Sequence, residues 1–392
     1  MKVLVIHNEY GQKGGGEHQV FMAETELLRR HGHEVLTYAQ SNLDVLERGR
    51  LATIKMLFQS RFNRTVYHEL RRLCEIEKPD VVHVHNFWFS ISPSVYAACL
   101  DSGVPVVQSL HNFRTICVNA LLLRDGKPCE DCVGRTALKG VLKRCYHGSR
   151  IHGWFVYRMQ RGFRKLINVP AYYLALTEHS RDIFVRSGFP SDRVWVKNNF
   201  VADHFAGITN LPSKPRALFI GSLMTHKGIR TLLDAWGRIP DIELVVVGDG
   251  ELKDGLMELC RSKDLTHIEF RGYLNPAEVM KEIRQCSFLV VPSEWYETFG
   301  LIVVEAFSAG KPVVAANIGA LGRLVEDGVN GLLFNPGDAT DLIRCVGLMR
   351  DEVLAKSMGE CARKCYQQRY SENVGYRNLI EVYEKATLQG GS

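Results

Sequence analysis

The stretch VVPSEWYETFGLIVVEAFSAGKPVVAA, residues 290–316, reads as a strand end, a polar loop, an apolar helix and the start of a second strand. Phe288–Val291 is an apolar run of strand length, residues 293–298 are polar, and residues 299–309 form a helical pattern closed by Gly310 and Pro312. The loop therefore ends at a helix N-terminus, where unpaired backbone N–H groups and the positive end of the helix dipole attract a phosphate or an ionised oxygen. Glu297 precedes that position and Glu305 is expected about two turns into the helix. Two carboxylates flanking an anion site can each hold a pair of hydroxyls by charge-assisted hydrogen bonds, as a ribose and a sugar ring require. The simpler alternative is a strand–helix unit whose acids face solvent. Against it, Glu305 stands among Leu301, Ile302, Val303, Val304, Ala306 and Phe307, where a carboxylate is costly to bury without a partner.

Outward from this block, strand-like apolar runs alternate with helical segments, the pattern of parallel sheets with helices on both faces. One series begins with KVLVIHN and continues through DVVHVHN, VPVVQSL, YYLALT and VWVKNN. A second, after the linker-like 211–215, runs through RALFIGS, IELVVVGDG, IEFRGYL, SFLVVPS and KPVVAAN. The expected fold is α/β, with two Rossmann-like, doubly wound domains over residues 1–205 and 215–370, and a cleft between them as the ligand site. A final helix is expected over about 372–388.

The 392 residues suffice for two domains, and a 46% hydrophobic content is that of an ordinary globular protein. No apolar run approaches the roughly 18 to 20 residues of a spanning helix, and the N-terminus enters a strand pattern rather than a signal peptide. The 11 cysteines then fit a reducing, cytoplasmic compartment. The net charge of +6 is modest but uneven. No acidic residue stands between Asp131 and Glu178, whereas Arg135, Lys139, Lys143, Arg144, Arg150, Arg158, Arg161, Arg164 and Lys165 all do. Trp154, Phe155, Tyr157 and Phe163 interleave with them, a mixture suited to an anionic membrane surface or a lipid diphosphate; the stretch carries no nucleic-acid-binding signature. A solvated helix face is the plain alternative. Cys117, Cys129, Cys132 and Cys145 contain a C-x2-C pair, so a structural zinc site competes with reduced thiols in an insertion.

The pair Glu297 and Glu305, with seven residues between them, resembles the E-x7-E signature of the retaining glycosyltransferases of family 4, the group 1 glycosyl transferases. The resemblance implies the two-domain GT-B architecture, with the C-terminal helix crossing back onto the N-terminal domain. It also implies transfer of a sugar from a nucleoside-diphosphate sugar to a glycan or polyprenyl-diphosphate-linked acceptor, in bacterial surface polysaccharide synthesis, at the inner face of the membrane. Within it, GSLMTHKG stands where relatives carry G-R-L-x-x-x-K-G, so Lys227 is implied to meet the donor diphosphate, and Ser222 replaces the usual Arg. Gly248 and Gly250 of VVGDGEL would let the nucleotide approach the backbone, and Tyr273 marks the segment that contacts the base. Phe299, Gly300 and Leu301 would offer N–H groups to the leaving phosphate, Glu297 would orient the sugar and Glu305 would bind the ribose. In the first domain Gly15 and Gly16 face the donor phosphates, and His111 of SLHNFRTIC lies near the reacting carbon, with Asn112 in place of the family's acid. Without a D-x-D motif, catalysis is expected to need no metal. Two other readings stand beside this one: a nucleotide-sugar 2-epimerase on the same scaffold, and a catalytically silent nucleotide-sugar-binding protein.

Overall fold

The computed structural model describes residues 1–9, 15–205 and 215–390. Gly14 of the first glycine loop and positions 211–214 of the linker-like segment lie outside the described residues. The chain forms two compact units: Met1–Leu122 with Cys129–Asn198 and the segment from Gly375 on, and Leu123–Pro128 with Asn199–Val374.

Unit 1 is built on six parallel strands: β1 (Lys2–Glu9), β2 (Glu34–Ser41), β3 (Val81–Val84), β4 (Val106–Leu110), β5 (Tyr172–Ala175) and β6 (Val194–Val196), in the order β2-β1-β3-β4-β5-β6. The helices of this unit include α1 (Gly16–Arg30), α2 (Arg50–Gln59), α3 (Leu138–Leu142) and α4 (Arg150–Arg164). Strands β3, β4 and β5 are buried at every position, as strands covered on both faces must be, which is why they read as unbroken apolar runs. Edge strand β2 is half-exposed along most of its length; HEVLTYAQ therefore carries no such run and was not among the expected strands.

Unit 2 holds β7 (Arg216–Ile220), β8 (Glu243–Val247), β9 (Ile268–Gly272), β10 (Phe288–Val291), β11 (Val313–Ala316) and β12 (Gly331–Phe334), all parallel. Their order is β9-β8-β7-β10-β11-β12, the arrangement in which the connections reverse direction between β7 and β10. The short edge strand β12 was likewise not anticipated. Helix α5 (Leu301–Ser308) follows β10. It begins two residues later than the sequence pattern suggests, because Gly300 has φ +100°, a left-handed conformation that cannot lie inside a right-handed helix. Glu305 accordingly stands one turn into α5 rather than two.

The last helix, α6 (Glu372–Gly390), contributes Leu379, Val382, Tyr383 and Ala386 to a core shared with Val3, Val5, Phe21, Leu28, Val81, Val107 and Leu174 of unit 1. Fully burying a large apolar side chain contributes roughly 1.5–3 kcal/mol, so this helix is an integral wall of unit 1.

Candidate functional site

In an open parallel sheet, ligands bind beyond the carboxyl ends of the strands, where the strand order reverses. In unit 2 that point lies between β7 and β10, and the loops after these strands carry Lys227 and Glu297. The turn after β7 ends in Gly228 at φ +69°, where an added Cβ would stand 1.8 Å from the carbonyl oxygen of Pro292. Only glycine lets the two loops approach this closely, and the approach sets Lys227 against the segment from Ser293 to Glu297.

Lys227 Nζ donates to Glu297 Oε1 at 2.6 Å, Ser293 Oγ donates to the same oxygen at 2.9 Å and the Trp295 indole N–H at 3.1 Å. All three bonds converge on Oε1, so Oε2 accepts from none of them and is left as an acceptor for hydroxyls. The Lys227 ammonium also lies 5.1 Å from the centre of the Trp295 ring, a cation–π contact that fixes its position. Burial works to raise the Glu297 pKa, but the charge of Lys227 and the three hydrogen bonds outweigh it and hold the carboxyl below its ordinary value. Glu305 has no such partner among the described residues: burial pushes its carboxyl up to about 7. The two glutamates of one motif are thus an ionised acceptor and a carboxyl poised to take or lose a proton near neutrality.

The other residues singled out in unit 2 stand on the loops that follow β7, β8, β9 and β10. Gly248, at φ +140°, brings the loop after β8 onto the turn after β7; a Cβ there would lie 1.9 Å from the Gly221 oxygen, and one on Gly250 2.6 Å from the Leu223 oxygen. Ser222 is exposed within that turn. Phe299 is buried, Gly300 caps α5 without a side-chain hydrogen bond, and Leu301 opens the helix, so its first N–H groups are not claimed by a cap side chain. Tyr273 follows β9 and is 57% exposed. Sequence reasoning missed Ser293 and Trp295; the signal available was a hydroxyl and an indole within four residues of an acid in a polar loop.

In unit 1 the direction of the connections reverses between β1 and β3, and here the polar groups are sealed. Glu24 on α1 forms a buried ion pair with Lys197. Its Oε2 is 3.6 Å from His85 Nε2 and 3.8 Å from His83 Nδ1. His83 shares hydrogen bonds with Tyr383 Oη at 2.7 Å and Ser109 Oγ at 2.8 Å, and His85 Nδ1 shares one with His111 Nε2 at 3.0 Å. His111 is thus anchored by its inner nitrogen at the end of a chain that runs back to Glu24. Burial pulls its pKa down to about 3 against the opposing charge of Glu24, which keeps the ring neutral at physiological pH. None of Glu24, Lys197, His83 or His85 was picked out from the sequence. An acid on the apolar face of α1, among Val20, Phe21, Leu27 and Leu28, was the visible sign.

Glu24, His83 and His85 bring their ligand atoms within 4.8 Å of one another, close enough for a metal ion. Lys197 already sits on the carboxylate, however, and both ring nitrogens of His83 are engaged, so the donor set fits an internal ionic network better than a metal centre. The four insertion cysteines lie near one another, since Cys117, Cys129 and Cys145 all act on Cys132. Among the described residues they do not gather three sulfurs within 4.8 Å. Gly15 and Gly16 are exposed at the start of α1, whose first turn has no capping side chain. Asn112 donates to Glu17 Oε2 at 3.0 Å, so a carboxyl supplied by α1 stands beside the position where the family carries its own acid. Burial lifts Glu17 to about 7 despite Arg114 and the amides around it.

Two family models match the chain: "Glycosyltransferase Family 4" over residues 14–204 and "Glycosyl transferases group 1" over residues 203–365. The chain belongs to the family 4, group 1 glycosyltransferases. An uncharacterised glycosyltransferase of Methanocaldococcus jannaschii is 36% identical over 169 residues, which is 43% of this chain and 47% of that protein, so the match spans about half of that relative's length. The phosphatidyl-myo-inositol mannosyltransferase of Mycobacterium leprae is 26% identical over 398 residues, 96% of this chain and 94% of that one. Among solved structures, Anabaena HepE in complex with UDP superposes with a TM-score of 0.72 at 19% identity, over 98% of this chain and all of that one. The architecture of this glycosyltransferase is therefore GT-B, two Rossmann-like parallel-sheet units with a C-terminal helix.

Proposed function

We propose that the protein transfers a sugar from a nucleoside-diphosphate sugar to a glycan or lipid-linked acceptor, with retention of anomeric configuration, in the assembly of a bacterial surface polysaccharide. The observation that carries this reading is the Lys227–Glu297 pair at the reversal point of unit 2, beside the uncapped start of α5 and one turn from Glu305. The Mycobacterium leprae relative is a mannosyltransferase by name, and HepE binds UDP, which supports a nucleotide-linked donor.

The reaction breaks the bond between the anomeric carbon and the donor phosphate and forms one to an acceptor hydroxyl, whose proton passes to the departing phosphate. Negative charge grows on that phosphate as positive charge grows on the sugar ring. The Lys227 ammonium and the N–H groups of the Phe299–Gly300–Leu301 segment stabilise the first. Glu297 Oε2 holds the sugar hydroxyls, Glu305 the ribose hydroxyls, and the Gly248 and Gly250 loop admits the nucleotide, with Tyr273 at its base. His111 is assigned to the hydroxyls of the transferred sugar, and Gly15 and Gly16 to the phosphates. With cationic and N–H groups to receive the leaving charge, the reading requires no metal, and activity should survive EDTA. The insertion cysteines are taken as reduced thiols; about one zinc per chain by metal analysis would reverse that. No helix among the described residues is long and apolar enough to cross a membrane, and the basic, aromatic helix α4 supports a peripheral site on the inner face.

A thermal-shift screen against UDP, GDP, ADP, CMP and dTDP tests the donor reading. A ligand at about 100 times its dissociation constant stabilises by roughly 2.7 kcal/mol, so one nucleoside diphosphate should raise Tm visibly. No response to any of them would end the assignment. Ser222 gives substance to a second reading, a nucleotide-sugar-binding protein without turnover; nucleotide released only when acceptor is supplied separates the two, and release without acceptor points to the epimerase.

A further inference from the structure

Helix α4 of unit 1 borders two cavities of opposite character. At its C-terminal half, Arg161, Arg164 and Lys165 join Arg135, Thr136 and Tyr157 around a cavity of about 360 Å³ with no carboxylate in its wall. At its N-terminal half, Ile151, Trp154 and Phe155 join Phe58 of α2 and Val141 of α3 around an apolar groove of about 430 Å³, flanked by Arg150 and Arg158. The two meet along one stripe of the helix, Trp154, Arg158, Arg161 and Lys165, spaced so that they share a face. At 1.5 Å per residue the stripe is about 16 Å long.

Both ends are open to a ligand. Ile151 is 70% exposed, Trp154 47% and Phe58 60%. The neighbouring exposed Leu51 and Ile54 of α2 extend the apolar rim. Large apolar side chains left this bare in one patch mark an interaction surface. Charge is equally one-sided, since residues 132–177 contain no Asp or Glu. Gln160 donates to the Arg114 carbonyl at 2.7 Å, which ties the helix to the loop three residues beyond His111 and sets the cationic cavity against Thr115 and Ile116.

We propose that α4 carries an acceptor subsite for a lipid diphosphate, the guanidinium cavity taking the two phosphates and the apolar groove the first part of the hydrocarbon chain. This rests on the reading of the chain as a nucleotide-sugar-dependent glycosyltransferase with a lipid-linked acceptor, and it names where that acceptor docks. Arginine suits the task because its planar fork meets phosphate oxygens two at a time. The adjoining apolar groove is what a nucleic acid would not use and an isoprenoid chain would. A phospholipid headgroup offers one phosphate to the same cavity and leaves cations unmatched.

The test titrates the full-length protein with farnesyl diphosphate, inorganic diphosphate, farnesol, and anionic phosphatidylglycerol vesicles. Farnesyl diphosphate should bind at least about tenfold more tightly than either half-molecule, as charge-assisted bonds and apolar burial act together, and saturating UDP should leave that binding unchanged. The exposed-residue variant Arg161→Glu/Lys165→Glu should weaken farnesyl diphosphate and inorganic diphosphate about tenfold or more. Trp154→Ser should weaken farnesyl diphosphate several-fold and leave inorganic diphosphate alone. Both variants should keep the thermal shift given by nucleoside diphosphate, which shows them folded. Farnesyl diphosphate binding no better than farnesol, unaffected by the charge reversal, or fully displaced by phosphatidylglycerol vesicles overturns the subsite. Absence of any nucleotide shift alongside intact farnesyl diphosphate binding would instead overturn the donor reading and leave the subsite standing.

Discussion

The two reversal points of this molecule occupy the same place in the same kind of sheet, yet one is wet and the other dry. In unit 2 the ion pair Lys227–Glu297 keeps side-chain exposures of 22% and 14%, and its carboxylate retains one oxygen for a ligand. In unit 1 the ion pair Lys197–Glu24 is exposed by only 2% and 1%, and the second oxygen of its carboxylate faces His83 and His85 at 3.8 and 3.6 Å inside the core, out of reach of solvent. A charge pair that keeps some contact with solvent can exchange its partner for an incoming phosphate. A pair taken out of water is costly to form and worse to break, because removing one partner strands the other. The same chemistry is thus left accessible in one unit, where the proposed function uses it for recognition, and joins α1 to the sheet in the other.

This contrast breaks most severely at the Lys227–Glu297 pair. Glu297→Ala or Lys227→Ala is expected to lower transfer by about 10³-fold, the scale on which preorganised charge stabilisation acts, while Tm stays near that of the parent. Turnover at the parent rate in an initial-rate assay would remove the pair from the reaction. Lys197→Met should show the reverse profile, a loss of about 3–5 kcal/mol in urea unfolding from a stranded buried carboxylate. The double change Lys197→Met/Glu24→Leu should recover much of that loss; if the single variant is neutral, the dry site is not structural.

Acid titration sharpens the comparison further. Glu305 in unit 2 and Glu17 in unit 1 are both raised to about 7 from 4.5. The folded chain therefore holds protons there that the unfolded chain releases. Their contribution to stability is full below about pH 4.5 and is lost as pH rises through about 7. Glu24 and Glu297 are shifted the other way, so their contribution is present above the unfolded value and is lost on acidification. Glu305→Gln should flatten the unfolding free energy between pH 4.5 and 7, and an unchanged slope would show that the carboxyl is ionised in the native state. The smallest effect is a gain: Ser222→Arg should tighten nucleoside diphosphate binding by about tenfold through a bidentate phosphate contact, measured by calorimetry. No change would place the side chain outside phosphate reach.

The same contrast explains what could be read from the sequence. Buried strands of unit 2 announce themselves as apolar runs, and the wet site lies in loops whose polar residues stand out between them, so Glu297, Glu305 and Lys227 were visible. The edges β2 and β12 were not, one because it is half-exposed and the other because GLLF opens on a glycine and runs straight into Asn335, Pro336 and Gly337, the residues of a turn. The start of α5 was misplaced because a glycine's φ is not written in the pattern around it. The dry site was hidden for a different reason: Glu24, His83, His85 and Lys197 come from α1, the β3 strand and its end, and the β6 end, and only folding brings them within reach. Separation along the chain, rather than weak propensity, concealed it.

The hydrogen bond from His83 to Tyr383 joins residues 300 positions apart. At a synthesis rate of roughly 5–20 residues per second, His83 is made about 15 to 60 seconds before its partner leaves the ribosome. During that interval the sheet of unit 1 lacks the helix that covers Val3, Val5, Val81, Val107 and Leu174, whereas the strands of unit 2 are complete before α6 emerges. The half of the protein translated first is therefore the half that finishes last, and it is the one whose apolar face a chaperone would have to shield.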